Sequence, residues 1–116
     1  MIEQKTRKLV AIMFTDIVGY TALMQGDEKV AIKVRVRHRE VFEQQHESHQ
    51  GKIIQYYGDG TLSIFESAVQ AVDCAIQIQN LLIEGDGNLA VPLRIALHLG
   101  DIVYDRTEIY GDGVNI

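Results

Sequence analysis

Two short acidic turns carry the residues of this chain that are suited to chemistry. Phe14-Thr15-Asp16-Ile17-Val18-Gly19-Tyr20-Thr21 and Tyr57-Gly58-Asp59-Gly60 each set one carboxylate beside a glycine at the edge of an apolar strand. Hard divalent cations take oxygen ligands and leave part of their coordination sphere to substrate, so two such carboxylates can hold cations against a polyphosphate. The pattern points to phosphoryl chemistry.

Such turns act together only if regular elements bring them together. Lys8 to Thr15 reads as a central strand buried on both faces, because Leu9-Val10-Ala11-Ile12-Met13-Phe14 is apolar without alternation. Gly19 permits a sharp turn into a short helix near Tyr20 to Gln25, and Asp27 is placed to cap a longer helix from Glu28 to about Ser48. Within that helix Lys33-Val34-Arg35-Val36-Arg37 alternates like a half-exposed strand, but the surrounding length and the lack of turn residues favour helix. Gly51 ends it. Lys52 to Tyr57 and Thr61 to Phe65 then read as strands joined by Gly58-Asp59-Gly60, which puts Asp59 at a hairpin tip.

From Ser67 to Ile83 the residues Ala68, Ala71, Val72, Ala75, Ile76 and Leu82 fall on one side of a helix. Gly85-Asp86-Gly87-Asn88 makes a loop. A strand follows from Leu93 to Leu99, then a turn at Gly100-Asp101 and a strand from Ile102 to Tyr104. The order βααββαββ predicts an α+β fold of ferredoxin-like plan, a mixed, largely antiparallel sheet with helices packed on one face. No internal repeat, low-complexity tract or linker interrupts it.

Composition bounds the setting. A chain of 116 residues with 47% apolar content suits a single domain with one core. The net charge of -5 excludes non-specific binding to nucleic acid, which depends on a concentrated positive field. One cysteine, Cys74, excludes a disulfide framework, reads as core filling, and makes the reducing cytoplasm the simplest location. The apolar run Leu9 to Phe14 is too short to insert into a bilayer, and no charged-then-apolar leader opens the chain.

Four phrases in order, the two acidic turns together with Arg94-Ile95-Ala96-Leu97-His98-Leu99-Gly100 and Tyr110-Gly111-Asp112-Gly113-Val114-Asn115, resemble the catalytic domain of class III adenylate and guanylate cyclases along essentially the whole chain. The resemblance implies the nucleotide cyclase fold. It also implies that a purine nucleoside triphosphate is converted to a 3′,5′-cyclic nucleotide and pyrophosphate for intracellular signalling. Asp16 and Asp59 match the family's metal aspartates, which hold two ions per site, Mg2+ or Mn2+, with the carbonyl of Ile17 assisting. The amides of Gly19, Tyr20 and Thr21 lead into a helix start, where unpaired N–H groups favour phosphate oxygens. Taken singly, Asp16 would suit a helix cap and Asp59 a turn; together in this frame they favour metal.

Base recognition departs from the commoner pattern of the family. Gln55 and Glu108 occupy the positions where adenylate cyclases carry a lysine and an aspartate or threonine. Adenine presents an acceptor at N1 and a donor at N6, which an amide N–H of Gln55 and the carboxylate of Glu108 would satisfy. Guanine would set its O6 acceptor against Glu108, so ATP is favoured, although Gln55 can also turn its carbonyl toward a guanine donor. As bland alternatives, Gln55 is a solvent-facing strand residue and Glu108 a loop carboxylate.

Asn115 matches the asparagine that orients the ribose, and the arginine that stabilises transition-state charge would lie four residues beyond it. The chain therefore reads as one cyclase domain, residues 1–116, incomplete at its C-terminus and weakly active or inactive as it stands. The family builds its sites across a dimer interface, which implies a homodimer. Two rival readings have other functions. One is a non-catalytic, cyclase-like module that binds nucleotide or dimerises to regulate a neighbouring domain. The other is a nucleic-acid-binding sheet, which the acidity and the missing glycine-aromatic signature disfavour.

The remaining features take plain readings. His98 reads as a hydrogen-bonded core residue, and His38, His46 and His49 as surface. Lys29, Lys33, Arg35, Arg37 and Arg39 read as a solvated charged face. Tyr56 and Tyr57 pack or frame the base pocket.

Overall fold

Residues 6–83, 90–104 and 109–111 are described by a computed structural model. Strand β1 (Thr6–Ile17) leads into helices α1 (Tyr20–Gly26) and α2 (Glu28–Ser48). Strands β2 (Lys52–Tyr57) and β3 (Gly60–Phe65), helix α3 (Ala68–Ile83), and strands β4 (Leu93–Tyr104) and β5 (Ile109–Gly111) follow. The sheet order is β2-β3-β1-β4-β5, and the pairings among the described residues are antiparallel. The expected α+β plan is the observed one, with β1 at its centre. Among the described residues no helix is long and apolar enough to cross a membrane.

The unbroken apolar run of β1 is explained by two clusters, one on each face. Ala11, Met13 and Ile17 join Val34, Phe42, Ala71, Cys74, Ile78 and Leu82 under the helices. On the opposite face Val10 and Ile12 join Leu62, Ile64 and Ile102. Burying a side chain such as Phe42 or Met13 contributes about 1.5–3 kcal/mol, so strands anchored on both sides are hard to shift.

Helix α2 begins where its cap predicts, with the Asp27 carboxylate accepting the Val30 N–H at 3.2 Å. Its far end differs in detail from expectation. The left-handed residue is Gln50, at φ 60°, and the N–H of Gly51 closes back on the His46 carbonyl at 2.8 Å. Gly51 is required for a different reason. A Cβ there would lie 2.6 Å from the His46 ring and 2.6 Å from the Phe65 ring, both buried.

Three further expectations are corrected. Gly100 and Asp101 make no turn, because β1 offers an unbroken antiparallel edge that pairs with β4 from Ile17 opposite Leu93 to Thr6 opposite Tyr104. The last strand is instead Ile109–Gly111. Helix α3, capped by Ser67 Oγ accepting the Gln70 N–H at 3.2 Å, buries Ala71, Cys74, Ile78 and Leu82, while Val72 and Ile76 stay exposed. Its apolar stripe is wider than the sheet beneath it can cover.

The histidines and arginines of α2 are also reassigned. His38 and His46 are buried, and His49 is half-buried. A carbonyl can only accept, so His46 Nδ1–H donates to the Phe42 carbonyl at 2.8 Å, leaving Nε2 to accept the Ser63 hydroxyl at 2.7 Å. Arg37 donates to the Leu81 carbonyl at 3.1 Å and Arg39 lies 4.1 Å over the Tyr56 ring, so part of the charged face docks onto neighbours. Cys74 is buried as expected, and burial pushes its thiol up to about 12. His98 is half-buried on β4.

Gly51→Ala should destabilise the fold by about 1–3 kcal/mol, since neither ring has room to yield, whereas Gly26→Ala, with nothing near its added Cβ, should stay within about 0.5 kcal/mol. Urea denaturation midpoints check both. Desolvation is the main cause that lowers His38 and His46 from 6.5 to about 4. Between those values the unfolded chain takes up protons that the folded chain refuses, so stability present at neutral pH is lost as pH falls from about 6.5 to about 4. The slope is about 1.4 kcal/mol per pH unit for each histidine, and NMR titration should show both rings neutral at pH 5.5.

Candidate functional site

Asp16 emerges near the end of β1, paired with Gly60 of β3 on one edge and with Arg94 of β4 on the other. Alternation puts it on the face of Phe14, which packs on the cluster away from the helices. Arg94 grips it with two prongs, Nε to Oδ1 at 2.9 Å and Nη2 to Oδ2 at 3.3 Å. The hydrogen bond with Asp16, then its charge, then the charge of Asp59 push Arg94 above its ordinary pKa. Asp59 thus acts electrostatically on the same guanidinium.

Asp59 sits in the two-residue turn that closes the β2–β3 hairpin, with Tyr57 paired to Gly60 and Gly58 at φ 60°. Its carbonyl accepts the Ile17 N–H at 3.3 Å, so the two acidic turns are joined main chain to main chain. The next amide, Val18, donates to the Pro92 carbonyl at 2.9 Å and ties the end of β1 to the approach of β4. These contacts frame a cavity of about 570 Å3 whose wall includes Asp16, Asp59, Gly60, Arg94, Phe14 and Tyr57. The buried hydroxyls of Thr15 and Thr61 are hydrogen-bonded to each other across the β1–β3 ladder.

The other candidate residues are distributed around this wall. Ile17 is buried in the helix-side core. Gly19, at φ 73°, is the N-cap of α1 and no side chain caps it, so the amides of Tyr20 and Thr21 open that helix. The Tyr20 ring packs against the helix-side core, and Thr21 is exposed. Gln55 is exposed on β2, opposite Leu62, which itself pairs with Phe14. Glu108 and Asn115 lie outside the described residues.

A register shift between Ile53 and Gln55 decides which way β2 presents its side chains. Ile53 and Tyr56 both pack on the helix-side core, the latter with its ring 6.0 Å from that of Phe42, while Tyr57 turns to the cavity. Simple alternation along the sequence does not contain this shift.

The residue that sequence reasoning passed over is Arg94. It opens one of the recognised phrases, yet its position opposite Asp16 depends on the β1–β4 register, which neither strand encodes alone. Two carboxylates, a main-chain bridge and one guanidinium on a single wall can hold an ion of either sign, or a polyphosphate with its counter-ions.

No family model matches the chain. A protein of Rhizobium meliloti (strain 1021) that carries the name adenylate cyclase 3 is 40% identical over 119 residues, covering 98% of this chain and 20% of the relative. The chain thus spans about a fifth of that curated relative's length. The crystal structure of the adenylate/guanylate cyclase/hydrolase of Silicibacter pomeroyi is 33% identical with a TM-score of 0.81, covering 97% of this chain and 68% of that one. The monomeric guanylyl cyclase domain of the RhoGC fusion protein from the aquatic fungus Blastocladiella emersonii superposes with a TM-score of 0.82 at 16% identity, over 97% of this chain and 74% of that one, a likeness of fold.

Thr61→Val should cost about 1–3 kcal/mol, because it strands the buried Thr15 hydroxyl beneath the cavity. Changing both threonines to valine should recover most of that loss, which a double-mutant cycle in urea measures.

Proposed function

Because the chain belongs to the class III adenylate/guanylate cyclase catalytic domains, we propose that it converts a purine nucleoside triphosphate, with ATP favoured, to a 3′,5′-cyclic nucleotide and pyrophosphate. The observation that carries this reading is that Asp16 and Asp59 share one cavity wall and are tied by the Ile17 N–H to the Asp59 carbonyl.

The donor set suits Mg2+ or Mn2+. Two aspartates and the Ile17 carbonyl offer only hard oxygen, and among the described residues no group of three or more His, Cys, Asp or Glu makes a closed cage. A partial donor set is what a pair of ions shared with substrate phosphates requires. When bound, such ions lower the pKa of the ribose 3′-hydroxyl and offset charge on the triphosphate.

The chain's own residues position the reactants. Arg94 presents a planar fork at the cavity wall that matches phosphate oxygens two at a time. The Tyr20 and Thr21 amides open α1 a few residues after Asp16 and, at a helix start, favour anionic oxygen. Tyr57 and Phe14 give the cavity an apolar flank.

Gln55 reads adenine through its amide, joined by Glu108, and Asn115 orients the ribose. In a homodimer these groups come from a second copy, which fits the position of Gln55 off the wall that holds the two aspartates. The same reading makes the domain cytoplasmic, where nucleoside triphosphates are found.

In the full-length protein, Asp16→Asn and Asp59→Asn should each lower cyclic nucleotide formation at least a hundredfold without changing circular dichroism; unchanged turnover in either removes that residue from the site. Binding of an ATP analogue that depends on Mn2+, without product, would instead favour a nucleotide-binding regulatory module. Gln55→Lys should raise the ratio of cyclic AMP to cyclic GMP formed, and a flat ratio takes Gln55 out of base recognition.

A further inference from the structure

The proposed cation site carries its own competitor. Arg94 engages both carboxylate oxygens of Asp16, and the two residues face each other across the β1–β4 ladder, so the pair is built into the sheet register. A cation ligated by these oxygens would share one carboxylate with the guanidinium, and the repulsion between the two positive charges makes each weaken the other's hold. We propose that Arg94 acts as a displaceable counter-ion, which holds Asp16 until a divalent cation arrives with a polyphosphate that takes up the released guanidinium. This inference rests on the reading of Asp16 and Asp59 as the cation pair.

The exchange is feasible because the pair is weak enough to break. Its side chains are 73% and 44% exposed for Arg94 and Asp16, so water screens their attraction. The guanidinium has a destination close by, since Arg94 lines the same cavity as Asp59 and Gly60. The cation alone has to displace the guanidinium and then tolerate its charge beside the site. A cation delivered on a polyphosphate supplies anionic oxygens that satisfy it. Binding of the two is then mutually reinforcing, as linkage demands whenever each removes the other's obstacle. The arrangement disfavours a bare cation at Asp16 and favours the cation–polyphosphate complex.

The test measures Mn2+ binding by electron paramagnetic resonance on the full-length protein and on Arg94→Gln, Arg94→Lys and Asp16→Asn. Arg94→Gln should bind Mn2+ alone about fivefold more tightly, the factor equivalent to the worth of one exposed ion pair. Arg94→Lys, which keeps the charge without the two-pronged geometry, should fall between, and Asp16→Asn should lose the site. As a readout independent of affinity, the Arg94 Nε–H resonance should move when Mg2+ and inorganic tripolyphosphate are added together and much less with Mg2+ alone. Equal or weaker Mn2+ binding by Arg94→Gln, with Asp16→Asn still losing the site, overturns the counter-ion role and leaves the cation pair standing. Binding by Asp16→Asn like that of the unaltered protein, or binding by none of them, overturns both.

Discussion

Strand β1 is hydrogen-bonded along both edges, to β3 from Ala11 to Asp16 and to β4 from Thr6 to Ile17, and this double ladder determines where every other group of the site comes to lie. Because side chains alternate with a period of two, a slip of one residue would bury Asp16 among the helices and expose Ile17. The two apolar clusters forbid that slip, since Ala11, Met13 and Ile17 fit under the helices while Val10 and Ile12 fit the opposite face. Register therefore follows from burial, and the position of the carboxylate follows from register.

Stability and chemistry are separated along the same strands. Large energies lie in the core, where Phe42, Phe65, Met13 and Ile78 are fully buried and His46 links α2 to β3 through the Phe42 carbonyl and the Ser63 hydroxyl. At the mouth, the Asp16–Arg94 pair is exposed and its attraction is screened by water. A weak, two-sided contact on a rigid frame can change partners without disturbing the frame. The main-chain bond from Ile17 to the Asp59 carbonyl serves the frame, because it keeps the two turns together whatever the side chains hold.

Much of this was legible in residue pattern. The cap at Asp27, the hairpin at Gly58-Asp59, the buried central strand and the helix after Ser67 each follow from local chemistry that acts over a few residues. The failures share one cause. Gly100-Asp101 reads locally as a turn, but β1 offered it a ladder partner; Val72 and Ile76 read as core, but no element among those described covers them. His38 and His46 read as surface because imidazole is polar, yet both rings lie against Phe42, and His46 has a carbonyl and a hydroxyl in reach, whereas the buried Nε2 of His38 has no hydrogen-bond partner among the described residues.

What the amino-acid order determined by itself is the inventory and the period: which segments are strands or helices, and that two carboxylates stand beside glycines at strand ends. Only the tertiary structure decided which side chains meet. The bulge at Ile53–Gln55 sent Tyr57 to the cavity and Tyr56 to the core, and the β1–β4 register set Arg94 against Asp16. Pairing between strands distant in sequence is chosen by the summed burial of both, a quantity that belongs to neither strand alone.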